Sequence, residues 1–153
     1  RLTAWTNVMT GNLGSLSSWM GLVGYFPRQS IDLAQGHLER VGVRDKVNSR
    51  VDTLSGGQQQ RAGLARALMQ NPRLILVDEP VSSLDPASAK GIMGLLREIN
   101  EKNGVTILCS VHLPGLASEY GHRVIVLKKG KIAFDGAPKK INETMIESFY
   151  KSS

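Results

Sequence analysis

Two adjacent carboxylates, Asp78 and Glu79, close the apolar run Leu74-Ile75-Leu76-Val77. Ligands of open α/β sheets sit at the C-terminal ends of the strands. Neighbouring side chains on an extended chain point in different directions, so one carboxylate can hold Mg²⁺ through its water shell while the other faces a nucleophilic water. On that reading Asp78 is the metal-side group and Glu79 the general base; the plainer alternative is a solvated strand end. Upstream, Leu54-Ser55-Gly56-Gly57-Gln58 leads into Gln59, Gln60 and Arg61. Paired glycines let backbone approach a ligand, and a helix N-terminus aims free N–H groups and a positive dipole end at an anion, with the Ser55 hydroxyl as a further donor. The same residues also suffice as an ordinary turn and cap. In Ser82-Ser83-Leu84-Asp85-Pro86, Asp85 or Ser83 can cap a helix that Pro86 opens. His112 ends a second apolar run, and parallel pairing of the two runs would bring its imidazole near the carboxylates, within reach of a terminal phosphate. A lone histidine at a strand end is otherwise structural, and His37 and His122, which lack such company, read as surface or packing residues.

These residues need elements to hold them. Leu2, Trp5, Val8 and Met9 recur at helical spacing, and a glycine-punctuated segment follows from Gly11 to Gly24. After Ser30, the residues Ile31, Ala34, Leu38 and Val41 form one helical stripe that Gly42 ends. A helix from the Ser55 turn runs to Leu68 and stops at Asn71-Pro72. The run 74–77 has no alternation, which predicts a strand buried on both faces of a parallel sheet. Ile92, Leu95, Leu96 and Ile99 predict a helix with Gly104 as its C-cap, and Val105 to Val111 a second strand, so 74–111 reads as a βαβ unit. Arg123 to Leu127 and Lys131 to Phe134 read as a hairpin across Lys128, Lys129 and Gly130, and Ile141, Met145 and Phe149 as a closing amphipathic helix.

With 153 residues the chain has room for one ordinary domain. Its 41% hydrophobic and 21% charged residues exclude disorder, collagen-like repeats and a disulfide scaffold. The single cysteine, Cys109, reads as a small buried hydrophobe in a reducing compartment. Residues 2–27 carry no charge, but their Asn, Thr, Ser and Gly content breaks any continuous apolar span and any signal-peptide block. The net charge of +6 is spread along the chain and reads as a solvated surface.

The four motif segments fall in order within about sixty residues, and together they are far more specific than any one of them. In them the sequence resembles the nucleotide-binding subunit of ATP-binding-cassette (ABC) transporters: Leu54 to Gln58 is similar to the signature motif, Leu74 to Glu79 to the Walker B strand, Ser83-Leu84-Asp85 to the D-loop, and His112 to the switch histidine. Within that family the run from Leu54 to Leu68, the segment Asn12 to Pro27 with Trp19 and Tyr25-Phe26-Pro27, and Phe134-Asp135-Gly136 look most like phosphonate-import ATPases. The resemblance implies an α/β fold of the phosphate-loop NTPase type, with a parallel sheet, flanking helices and an α-helical subdomain. Residues 1–53 would be part of that subdomain with a linker, and 54–153 the signature, Walker B, D-loop and switch part of the core. It further implies ATP and Mg²⁺ as cofactors, a second ATPase subunit paired head to tail, and membrane permease subunits as partners at the cytoplasmic face of the membrane. Ser55, Gly56, Gly57 and Gln58 would then meet ATP held by the other subunit, while Asp78 (metal, through water), Glu79 and His112 serve the chain's own ATP beside the D-loop Asp85.

The phosphate loop G-x-x-x-x-G-K-[ST] is not found in these residues: no two glycines stand five apart, and the only Gly-Lys pair, Gly130-Lys131, is followed by Ile132. The chain is therefore expected to be the C-terminal part of a longer ATPase, starting inside the helical subdomain, and by itself neither to bind ATP tightly nor to hydrolyse it. It is also expected to expose sheet edges and apolar faces and to fold poorly alone. Pro114-Gly115 departs from the usual pattern after the switch histidine, and a small shift of that loop is expected, with Pro114 opening a helix. Two other readings stay open: a nucleic-acid-associated ABC-type ATPase, which the scattered basic residues and the absence of inserted heptads or metal cysteines near the motifs disfavour, so no nucleic acid is expected; and an inactive truncated interaction fragment.

Overall fold

The computed structural model describes residues 2–16, 24–141 and 145. Part of the uncharged N-terminal stretch, including Trp19, and most of the expected closing helix, including Phe149, lie outside the described residues.

Helix α1 (Ala4–Thr10) begins where Thr3 Oγ1 accepts the N–H of Thr6, and its buried Ala4, Val8 and Met9 face the core. Its entry is tied to the loop at 47–51 by Ala4 N–H to Ser49 carbonyl (2.9 Å) and Trp5 N–H to Val47 carbonyl (3.0 Å). Helix α2 (Arg28–Arg40) starts before the expected serine: Ser30 lies within its first turn, buried, and its hydroxyl oxygen accepts the Asn12 side-chain amide at 2.6 Å. At its other end Gly42 takes φ +73, and the N–H groups of Gly42 and Val43 return to the carbonyls of Glu39 and Leu38. This is the Schellman closure that a left-handed glycine permits.

Helix α3 (Gly56–Leu68) packs on α1 and α2, and the chain leaves it through Asn71, held at φ +47 ahead of Pro72. Then follow β1 (Leu74–Asp78), α4 (Pro86–Asn103) and β2 (Thr106–Ser110), with β1 and β2 parallel in the register Leu74 to Thr106 through Asp78 to Ser110. Gly104 closes α4 at φ +67. Helix α5 (Pro114–Tyr120) is opened by Pro114, and the hairpin β3 (Val124–Lys128) and β4 (Lys131–Gly136) turns through Lys129 and Gly130, both at positive φ. Two positive φ values in a two-residue loop match the twist of the flanking strands.

One cluster joins Val8, Leu38, Leu64, Leu68, Ile75, Leu96 and Ile99, so the α1–α3 group and the βαβ unit share a core. The expectation of a strand buried on both faces is corrected here. Ile75 is buried, but Leu74 and Leu76 are 51% and 69% exposed, and Leu108 of β2 is 61% exposed. One face of the parallel pair packs on α4, while the other leaves Leu74, Leu76 and Leu108 exposed. Cys109 is likewise half-buried, not fully buried. Burial, and then the charge of Asp78, push its thiol pKa up, so the neutral form is favoured. Among the described residues no helix is long and apolar enough to cross a membrane.

Candidate functional site

The parallel register carries four side chains to one sheet edge. Asp78 is the last residue of β1 and faces Ser110, the last of β2; Glu79 and His112 lie one and two residues further on. His112 Nε2 and Glu79 Oε1 are 2.5 Å apart, with side chains 73% and 41% exposed. At such exposure water screens the attraction, so the contact orients the pair more than it stabilises the fold. Glu79 is not extended, as the two-directions argument assumed: its φ is +43, a left-handed conformation uncommon outside glycine. At Glu79 the backbone turns instead of continuing the pleat, so pleat alternation does not set the direction of its side chain.

Ser110 is the residue that inspection of the sequence missed. Its hydroxyl donates to Asp78 Oδ1 at 2.6 Å and accepts the Glu79 N–H at 2.9 Å. The only signal was its register opposite Asp78, which needs the strand pairing to be known.

The segment Ser55–Gln58 packs on the turn after β1. Ser55 caps α3 in a reciprocal box: its Oγ accepts the Gln58 N–H at 3.3 Å and Gln58 Oε1 accepts the Ser55 N–H at 3.1 Å. The amides of Gly56 and Gly57, in the first turn, have no helical carbonyl to meet. A Cβ on Gly56 would lie 3.1 Å from Leu84 Cδ2, and one on Gly57 3.6 Å from Ser88 Cβ, so both glycines admit the 84–88 segment closely. Asp85 caps α4 by accepting the N–H groups of Ala87 (3.0 Å) and Ser88 (2.9 Å). Hydrogen bonds, first from the Ser88 side chain and then from these amides, hold its carboxyl below the usual range. His37, far from these residues in sequence, is half-buried on α2, and burial followed by the Arg40 charge lowers its pKa.

Among the described residues no three His, Cys, Asp or Glu side chains gather into a metal cage. Mg²⁺ in nucleotide sites takes one or two carboxylates and completes its shell with phosphate and water. Asp78 fits that role, since one oxygen is engaged by Ser110 and Oδ2 is left for a metal-bound water. The capped helix start with its two free amides and hydroxyl fits a phosphate group.

Residues 1–82 match the family described as ABC transporter. The chain is 46% identical over 152 residues to the "Phosphonates import ATP-binding protein PhnC" of Thiobacillus denitrificans, an alignment that takes in 99% of this chain and 58% of the relative. It thus spans well under two thirds of that relative's length. Among solved structures, an inward-facing putative metal-chelate type ABC transporter matches 97% of this chain and 58% of its own with a TM-score of 0.87 at 21% identity, a likeness of fold. A dimeric post-hydrolysis ATP-binding cassette bound to ADP and Pi matches 92% of this chain and 58% of its own with a TM-score of 0.74 at 32% identity.

Proposed function

We propose, from the premise that this chain belongs to the ABC transporter family, that it is the signature-to-switch part of an ATP-hydrolysing subunit of an importer for phosphonate or a related phosphorus oxyanion. The phosphate loop would come from sequence outside residues 1–153. The observation that carries this reading is the Glu79–His112 contact beside Asp78 at the C-terminal edge of a parallel strand pair.

In this reading Glu79 accepts a proton from a water as that water attacks the terminal phosphorus; the new O–P bond forms as the bond to ADP breaks, leaving inorganic phosphate. His112, held against Glu79 Oε1, orients that carboxylate and meets the terminal phosphate. Bound Mg²⁺ supplies neutralisation of phosphate charge, and Asp78 Oδ2 would hold it through a water. Ser55, Gly56, Gly57 and Gln58 would meet ATP on a second subunit in a head-to-tail dimer, with Asp85 at the interface between the two. The dimeric cassette with ADP and Pi supports that pairing. Permease subunits would dock on the region 2–51, which places the protein at the cytoplasmic face of the membrane, and the 46% identity to a phosphonates import protein supports the solute class. A nucleic acid partner is not proposed.

The test is ATP hydrolysis by the full-length protein. Glu79→Gln should lower kcat on the order of 10²-fold or more with nucleotide binding retained; an unchanged rate removes Glu79 as the base and with it this assignment of the edge.

A further inference from the structure

At the end of β2 one hydroxyl touches both acids. In a parallel pair the residue opposite Asp78 is Ser110. A hydroxyl has one proton and two lone pairs. Here the proton goes to Asp78 Oδ1 (2.6 Å) and one lone pair to the Glu79 N–H (2.9 Å), so the two bonds use different parts of the same group and hold simultaneously.

Each bond has a distinct effect. The first fixes the Asp78 carboxylate through Oδ1 and does not engage Oδ2. The second anchors the amide of a residue held at φ +43, where a non-glycine residue persists only if its surroundings hold it. That left-handed turn brings the Glu79 carboxylate to His112. Cys109, the preceding residue, directs its sulfur at the Ser110 carbonyl (3.6 Å), not at either carboxylate.

We propose that Ser110 is a positioning residue for ATP hydrolysis: its hydroxyl couples the metal-side Asp78 to the water-side Glu79 and sets the turn that pairs Glu79 with His112. The proposal rests on the reading of Asp78 and Glu79 given above. Ser110→Ala removes both bonds, Ser110→Thr keeps the hydroxyl on a β-branched residue suited to a strand, and Ser110→Cys keeps the size with weak hydrogen bonding.

The three variants are compared with wild type and Glu79→Gln in the full-length protein. Ser110→Ala should lower kcat about 10-fold with the KM for ATP changed less than about 2-fold, and Ser110→Thr should restore most of the rate. Two readouts do not depend on turnover. The Glu79 amide should exchange its hydrogen about 10-fold faster in Ser110→Ala. Mn²⁺ affinity of the ADP-loaded protein, read by electron paramagnetic resonance, should weaken by about 10-fold. The result that overturns the proposal is a Ser110→Ala protein with wild-type kcat, one with wild-type Glu79 amide protection, or a Ser110→Thr protein as slow as Ser110→Ala. If Ser110→Ala loses its thermal transition, Ser110→Cys decides, and a wild-type rate there is equally fatal. Wild-type and Glu79→Gln proteins that both lack ATP hydrolysis would instead overturn the functional reading itself, while an inactive Glu79→Gln beside a fully active Ser110→Ala overturns only the role of Ser110.

Discussion

Arg61 projects from α3, the helix whose first turn carries Ser55–Gln58, into a slot made by two other helices. Its Nη1 donates to the Val41 carbonyl at the C-terminus of α2 (2.8 Å), and its Nη2 lies 2.9 Å from where a Cβ on Gly91 of α4 would stand. A Cβ on Gly94, less than one turn further along α4, would meet nothing within 4 Å. The two glycines therefore form a matched pair. Replacing either with alanine in a helix interior gains about 1 kcal/mol of propensity. At Gly94 nothing opposes that gain. At Gly91 the guanidinium must move and give up a charge-assisted bond to a helix end, worth about 1.5–3 kcal/mol. Gly94→Ala should thus stabilise the protein by about 1 kcal/mol and Gly91→Ala should destabilise it by about 0.5–2 kcal/mol. Urea unfolding followed by circular dichroism measures both. In an Arg61→Ala background the penalty at Gly91 should vanish, and the cycle of four proteins isolates the coupling. If Gly91→Ala is as stabilising as Gly94→Ala with Arg61 present, the slot does not constrain Arg61 and the reasoning fails.

Other expectations follow from the same geometry. Ile99→Ala removes a fully buried side chain of α4 and should cost about 2–5 kcal/mol in urea unfolding. Burial and Arg40 lower the pKa of His37 from 6.5, so below about pH 6.5 the unfolded chain binds more protons than the folded one. Stability should therefore be full above that pH, fall as the pH drops through it, and level off below the folded-state value; in His37→Gln the thermal midpoint should lose this slope between pH 7 and 5.5.

What could be read along the chain was local. The α4 stripe of Ile92, Leu95, Leu96 and Ile99 and its Gly104 stop follow from spacing and dihedral preference, and the structure has both; of the two cap candidates Ser83 and Asp85 it uses Asp85, and it narrows the expected turn to Lys129 and Gly130, with Lys128 ending β3. The misreadings were all nonlocal. An unbroken apolar run such as 74–77 says that a strand is apolar, but not which face is covered, and Leu74 and Leu76 lie in the open. Ser30 stands ahead of the α2 stripe in the sequence, yet the helix already begins at Arg28 and Asn12, eighteen residues away, claims the Ser30 oxygen inside it. Ser110 sits within an apolar strand and looks like filler until the register sets it against Asp78. The left-handed turn at Glu79 has no signal in residue type, because it is held by a neighbour from another strand.

The two halves of the candidate site meet through one short segment. From Asp78 the chain turns through buried Val81, sets Leu84 against Gly56, caps α4 with Asp85, and rests Ser88 on Gly57. Close-packed contacts of this kind transmit displacement because there is little free space to absorb it. A shift of the 81–88 turn therefore has two immediate destinations, the acidic edge at 78–79 and the first turn of α3. Positions 56 and 57 have no side chains where this segment approaches, so it can come close to the helix start, and Leu84 already stands where an added methyl would be in tight contact. The glycines of the proposed phosphate-facing α3 start thus also receive the turn that follows the acids, and this shared contact links the residues proposed for ATP on the partner to those proposed for the chain's own.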